Sequence, residues 1–177
     1  MIEDDRVSRF WSAFVSATGT DGDHTAWGFG SDPGMATELG LLVRDGPKRA
    51  TASLRSAYEH GEPIPRAGEL SVILDGDGDP LCVIRTTHVE IRRFADVDEE
   101  FAWTEGEGDR SLAYWREAHV SFFTAAGTPP EDDTELVLER FELLWPPPAG
   151  GSLRHRFATI RGHPVAASAG SLATCPG

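Results

Sequence analysis

The amino-acid sequence predicts an α+β domain built on a small, mostly antiparallel β-sheet or barrel with helices packed around it. Three observations lead to that class. Apolar residues recur at helical spacing at the start of the chain and again after residue 110, whereas β-branched, strand-like runs concentrate in the middle and at the end. The chain of 177 residues, 40% hydrophobic and 25% charged, is long enough for one well-buried core and short for two.

Taken in order, Val7, Phe10, Trp11, Phe14 and Val15 place one apolar stripe on a first helix. Ser31 or Asp32 can cap a second helix, with Pro33 in its first turn and Met35, Leu39, Leu42 and Val43 facing inward. Gly46 reads as the C-terminal glycine of that helix, and Pro47 prevents its resumption, so the chain must turn at Lys48. A short strand is predicted over 50–53 and a helical turn over 54–60, closed by Gly61 and two prolines. ELSVILD and PLCVIRTTHVEIRRF, separated by GDGD, read as a β-hairpin. ADVDEEFAWTEGEGD is a polar connection, and a helix starting near Asp109 or Ser111 carries Leu112, Trp115, His119, Phe122 and Phe123 inward. In the last strand, TELVLERFELLW, Leu136, Leu138, Phe141 and Leu143 are set against charged neighbours.

Charge limits the function classes. The formal net charge is -13. Residues 149–177 carry three arginines and no Asp or Glu, which leaves 13 basic against 29 acidic residues in 1–148. An acidic body repels long nucleic acid, so strong non-specific binding is not expected, and any nucleic-acid role depends on a local pocket or a small fragment. The Gly-, Ala-, Ser- and Pro-rich 149–177 is predicted to be a disordered tail. Cys82 and Cys175 form neither a CxxC site nor a disulfide framework, no apolar run reaches the length of a membrane span, and the acidic N-terminus does not read as a signal peptide. A cytoplasmic protein without membrane attachment is expected.

Several motifs carry no chemistry. The Asp75–Asp79 run resembles the opening of a calcium loop, but its twelfth position is Thr86 where an EF-hand needs Glu. The six histidines lack ligand spacing, and His88 and His119 read as hydrogen-bonded core or rim residues.

Lys48 is different. It is the only lysine among 16 basic residues. A lysine amine, with a free pKa of about 10.4, can be driven neutral by burial or neighbouring cations, as an arginine cannot. Thr51, three residues on, can supply a hydroxyl nucleophile beside that activator, and Arg49 would help depress the amine if it lies close. In WTEGEGDRS, Glu105 and Glu107 alternate with glycines, so that either carboxylate can enter a pocket and pair with Lys48 or move a proton, or can instead serve the following helix as a cap.

GPKRATASL, PIPRAGELSVILDGDGDPLCVIRTTHVEI, FAWTEGEGDRSLAYWREAHVSFF and LERFELLW, in that order, together with the early AWGFGSDP, resemble the ASCH (ASC-1 homology) domain family in its bacterial stand-alone branch. The resemblance covers most of residues 10–145 and implies a PUA-like β-barrel with packed helices over 1–148, with a cleft associated with RNA or modified nucleosides. It also implies activity: a small bacterial member with the same KxxT motif is an amidohydrolase that removes acetyl from N4-acetylcytidine with a Lys, a Thr and a Glu. Those roles carry over to Lys48, Thr51 and Glu105, with Glu107 a close competitor for the last. This chain departs from that member in its longer N-terminal helical part and its EGEGD loop.

The expected mechanism has a neutral Lys48 accepting the Thr51 proton as the hydroxyl attacks an amide carbonyl, with Glu105 tuning the lysine and returning a proton to the departing amine. Arg55 would contact a base or phosphate, and Trp27, Phe29 or Tyr114 would stack on the ring, with Glu107 also among the binding residues. No cofactor is required. The partner would be a nucleoside or short single-stranded RNA. Two other readings share the cleft: a divalent-metal ribonuclease using Glu105, Glu107 or Asp109 as oxygen ligands, and a non-catalytic module holding RNA through Lys48, Arg49 and Arg55.

Overall fold

The computed structural model describes residues 5–59 and 61–146. The predicted tail over 149–177 and Cys175 lie outside the described residues. Helix α1 (Asp5–Thr18) buries Val7, Trp11 and Phe14, the predicted stripe, against the sheet. Strand β1 (His24–Trp27) follows, an element its alternation did not announce because two of its four residues are exposed. Helix α2 (Pro33–Asp45) starts as the sequence predicts: Asp32 Oδ1 accepts from the Met35 amide at 3.0 Å, and Pro33 sits where no intrahelical N–H is lost.

The remaining strands are β2 (Ala50–Leu54), β3 (Leu70–Leu74), β4 (Pro80–Arg93) and β5 (Glu135–Trp145). Their order in one five-stranded sheet is β1-β3-β4-β5-β2. Only β1–β3 is parallel; the other pairs are antiparallel, so the α+β class with a mostly antiparallel sheet is as predicted. The β3–β4 hairpin turns through Asp75–Asp79, where Asp75 Oδ1 accepts from the amides of Asp77 and Asp79 at 2.9 and 2.8 Å. The aspartates that imitate a calcium loop thus close the turn on themselves.

Helices cover both faces of the sheet. Ile73, Cys82 and Ile84 face α2, with Leu39, Val43 and Phe29, while Val72 and Val83 face α1. At the other end of the sheet, Ala50, Ala52, Leu136 and Leu138 pack under α3 (Glu99–Glu105) and α4 (Leu112–Ala125). Strand β5 therefore buries both of its faces. Leu136 and Leu138 belong to one core and Phe141 and Leu143 to the other, which is why their spacing breaks strict alternation.

Helix α3 replaces the expected polar connection. Asp98 caps it by accepting from the Phe101 amide at 2.9 Å, and buried Phe101 and Ala102 anchor it. It stops at Gly106, whose left-handed backbone (φ 76°) reverses the chain. A Cβ at Gly106 would lie 2.8 Å from the backbone of Pro47 and Lys48, so both the conformation and the close approach require glycine. Gly46 ends α2 differently from prediction. Its backbone is extended (φ -120°), and glycine is needed because a Cβ would stand 2.9 Å from the Leu42 carbonyl oxygen.

Gly106→Ala should lose about 2 kcal/mol or more of stability in urea unfolding, combining left-handed strain with the backbone clash. Asp98→Ala should lose about 1 kcal/mol through the missing cap. Unchanged unfolding of Gly106→Ala would contradict the packing of this turn on Pro47–Lys48.

Candidate functional site

Lys48 is brought into the interior by its own flanks. The Leu42 carbonyl accepts from the amides of both Gly46 (3.1 Å) and Lys48 (3.2 Å), which folds the chain back at the end of α2. The Arg49 amide then donates to Thr104 of α3 at 2.9 Å, and the Arg49 carbonyl accepts from Phe141 of β5 at 2.9 Å. The loop is thereby tied to both neighbours. Arg49 does not press its charge on the lysine amine, because its guanidinium donates to the carbonyls of Val43 (2.9 Å) and Lys48 (2.5 Å).

The Lys48 side chain is fully buried. Its ammonium donates to Glu107 Oε1 at 2.5 Å and to Glu105 Oε1 at 3.3 Å. Both carboxylates are buried, Glu105 completely. They reach the same nitrogen because Glu105 is the last residue of α3 and Gly106 turns the chain so that Glu107 returns from the other side. The Phe29 ring completes the enclosure, its centroid 5.3 Å from Lys48 Nζ.

Behind Glu105 stands α4. The Trp115 indole donates to Glu105 Oε2, and His119 Nε2 lies 3.6 Å from the same oxygen. His119 stacks on Trp115 with ring centroids 3.9 Å apart, and its Nδ1 is 2.8 Å from the Trp115 carbonyl. A carbonyl only accepts, so Nδ1 carries the proton and Nε2 is a bare acceptor. Neither His119 Nε2 nor Glu107 Oε2 has a hydrogen-bond partner among the described residues.

The charge state differs from expectation. Burial alone would lower the Lys48 pKa, but Glu107 and Glu105 outweigh it and hold the amine above its ordinary value, as an ammonium rather than the predicted neutral base. Burial raises Glu107 against the attraction of Lys48, with the neighbouring charge of Glu105 adding to the rise. Burial lowers His119 to about 4, so it is neutral.

The other expected site residues are more dispersed. Thr51 is buried on β2, directly across from Glu139 of β5. Phe29 is only 1% exposed and meets Lys48 rather than solvent. Trp27 is half-buried at the end of β1, edge-on to Phe29 at 4.7 Å. Tyr114, half-buried in the first turn of α4, packs against the aromatic core. Arg55 stands beyond the far end of β2 from Lys48, exposed and paired with Glu135 at 2.5 Å. Asp109 does not join Glu105 and Glu107: it accepts from the Ser111 amide at 2.8 Å ahead of α4. Among the described residues, no group of three or more His, Cys, Asp or Glu is placed to hold a metal ion. Trp115 reads from the sequence only as a core residue, and Glu139 only as a charged position of the last strand; neither is expected at the site. The indole N–H of a core tryptophan and a glutamate on an alternating strand point to a buried polar site only once the elements packed against them are known.

The model of the ASCH domain matches residues 25–145, a span that includes Lys48, Thr51, Glu105, Glu107, His119 and Glu139. The crystal structure of an ASCH domain from Lactobacillus crispatus JV V101 is 34% identical, with a TM-score of 0.74 over 81% of this chain and 97% of that one. A protein of family DUF984 from Enterococcus faecalis V583 is 36% identical, with a TM-score of 0.68 over 86% of this chain and 98% of that one. None of the curated proteins matches. With more than half its length matched by the family model and a domain of the same kind superposing on it at 34% identity, this chain belongs to the ASCH domain family.

Proposed function

We propose that this ASCH protein is an amidohydrolase of N4-acetylcytidine-like nucleosides, free or in short single-stranded RNA, in the cytoplasm. The observation that carries this reading is Lys48, the one lysine of the chain, fully buried between Glu105 and Glu107 in the KxxT motif. The family, a PUA-like fold linked to RNA, supports the substrate class. The acidic body agrees with a small, nearly neutral ligand rather than a long polyanion.

The charge state alters the roles. Thr51 is the nucleophile, attacking the acetyl carbonyl to form an acyl-enzyme that water hydrolyses. The Lys48 ammonium stabilises the negative charge that develops on the carbonyl oxygen, where a fixed cation in a dry site is most effective. Glu105 and Glu107 orient the ammonium and keep it charged. An ammonium cannot accept the Thr51 proton, so that task falls to another group. Trp27 and Tyr114, the half-buried aromatics, are the proposed stacking residues.

Mass spectrometry of cytidine released from N4-acetylcytidine tests this reading. Wild type should turn over with and without EDTA, and Lys48→Arg or Glu105→Gln should lower kcat/KM by about 10²-fold or more while thermal unfolding verifies the fold. No turnover by folded wild type would overturn the proposal. Chelator-sensitive cleavage of single-stranded RNA in its place would select the ribonuclease.

The neutral His119 predicts acid sensitivity. Its folded pKa lies near 4, below the unfolded value of about 6.5, so the unfolded state binds the proton first as pH falls. The contribution of His119 to stability is therefore intact above about pH 7 and declines by about 3 kcal/mol toward pH 4. Glu107 works in the opposite direction, since its raised pKa means the folded state takes its proton first. The stability difference between wild type and His119→Gln, measured by urea unfolding across this window, isolates the histidine. A pH-independent difference would contradict a buried neutral ring.

A further inference from the structure

A second buried polar group faces Thr51 from the neighbouring strand. In the antiparallel β2–β5 register Thr51 lies directly opposite Glu139, with Ala50 and Ala52 turned the other way into the aromatic core. Side chains directly opposed in an antiparallel pair stand on the same face with Cβ atoms about 4.5–5.5 Å apart, within reach of a glutamate and a threonine hydroxyl. Both residues are buried, Thr51 3% and Glu139 7% exposed.

Glu139 is also held from its other side. Thr86 Oγ1 donates to Glu139 Oε1 at 2.6 Å, which occupies one carboxyl oxygen and fixes the group. Thr86 lies opposite Phe141 in the β4–β5 register, which makes Glu139 its diagonal neighbour on the same face, next to a register shift between Thr86 and His88. On the same face of β2, Ser53 Oγ is 2.8 Å from the Tyr58 hydroxyl, and Glu69 acts on Glu139 through its charge. Phe141, two residues beyond Glu139 on β5, reaches Phe29 at 6.2 Å, the ring over which Lys48 Nζ sits. Phe141 thus connects this face of β5 to the ring beside the ammonium.

We propose that Glu139 is the proton acceptor for Thr51 Oγ1. The inference rests on the amidohydrolase reading and deepens it, supplying the base that the charged Lys48 cannot be. The Glu139 carboxylate takes the Thr51 hydroxyl proton as the Oγ1–C bond forms and the carbonyl π electrons move onto oxygen beside Lys48. As the C–N bond breaks, the Glu139 carboxyl returns that proton to the departing amine. In the second half, water attacks the ester, Glu139 receives the water proton, and its return to Thr51 Oγ1 accompanies release of the acid. Burial and the charge of Glu69 raise Glu139 toward the working pH, whereas the Thr86 hydrogen bond opposes the rise.

Two measurements test the assignment. In steady-state kinetics on N4-acetylcytidine, Glu139→Gln, which keeps size and an acceptor for Thr86, should lower kcat by about 10²–10⁴-fold with little change in KM and abolish the acidic limb of the kcat profile. Wild-type kcat in this variant would overturn the proposal. Independently of turnover, side-chain ¹³C NMR should show the Glu139 titration midpoint rising by about 0.5 pH unit or more in Thr51→Val, because a donor to the carboxylate is lost. An unmoved midpoint would overturn the pairing, even if the wild type left N4-acetylcytidine intact and the amidohydrolase reading had failed by itself.

Discussion

Burying an ammonium is the constraint around which this corner of the fold is organised. Removing Lys48 from water is expensive, and the interior accepts it only with compensating charge and good hydrogen-bond geometry. That compensation comes from residues 57 and 59 positions away. The chain therefore has to end α3 at Glu105, reverse at Gly106 and bring Glu107 back within the span of one side chain. Gly106 packs on Lys48 itself, so the left-handed turn and the ion cluster depend on one another. Removing Lys48 would leave two buried carboxylates without their counter-charge, and breaking a buried pair in this way typically costs about 3–5 kcal/mol. A substitution here thus acts on folding as well as chemistry.

The sheet transmits the same constraint. Because β5 lies between β2 and β4 with helices over both of its faces, most of its early positions are interior, and a polar side chain there must find a partner. Glu139 finds Thr86 across one neighbour and faces Thr51 across the other. Two buried acidic systems thus converge on the segment from Lys48 to Thr51, one through α3 and one through β5. The KxxT spacing is what allows four consecutive residues to address both.

Much of this organisation is legible in the sequence where local chemistry decides it. Asp32–Pro33 and Ser111 mark helix starts that the structure realises, and the aspartate-rich turn makes the hairpin plain. The solitary lysine and the two glutamates of EGEGD identify the ion cluster. Local pattern fails where tertiary contact decides. Helix α3 has seven residues and only two apolar anchors, too short for periodicity to register above its acidic surroundings. Glu139 reads as the solvent side of an alternating strand until β2 and β4 are known to cover it. The protonation of Lys48 was likewise not readable from residue type, because burial and paired carboxylates push its pKa in opposite directions and only the distances show which prevails.

The surface charge bears on what can reach this cluster. Arg55, Arg85, Arg92 and Arg140 each face a carboxylate, respectively Glu135, Glu142, Asp98 with Glu90, and Glu90. The positive charge of these four is thus neutralised locally and adds little attraction for a long polyanion. Such exposed pairs are individually weak, about 0–1 kcal/mol, so a single phosphate can displace a carboxylate where a whole backbone would meet the acidic body. Arg55 fits that behaviour: it lies beyond the far end of β2 from Lys48, exposed and paired with Glu135. The proposed ligand, one reactive base with few phosphates, is the kind that an enclosed cation and an acidic exterior both allow.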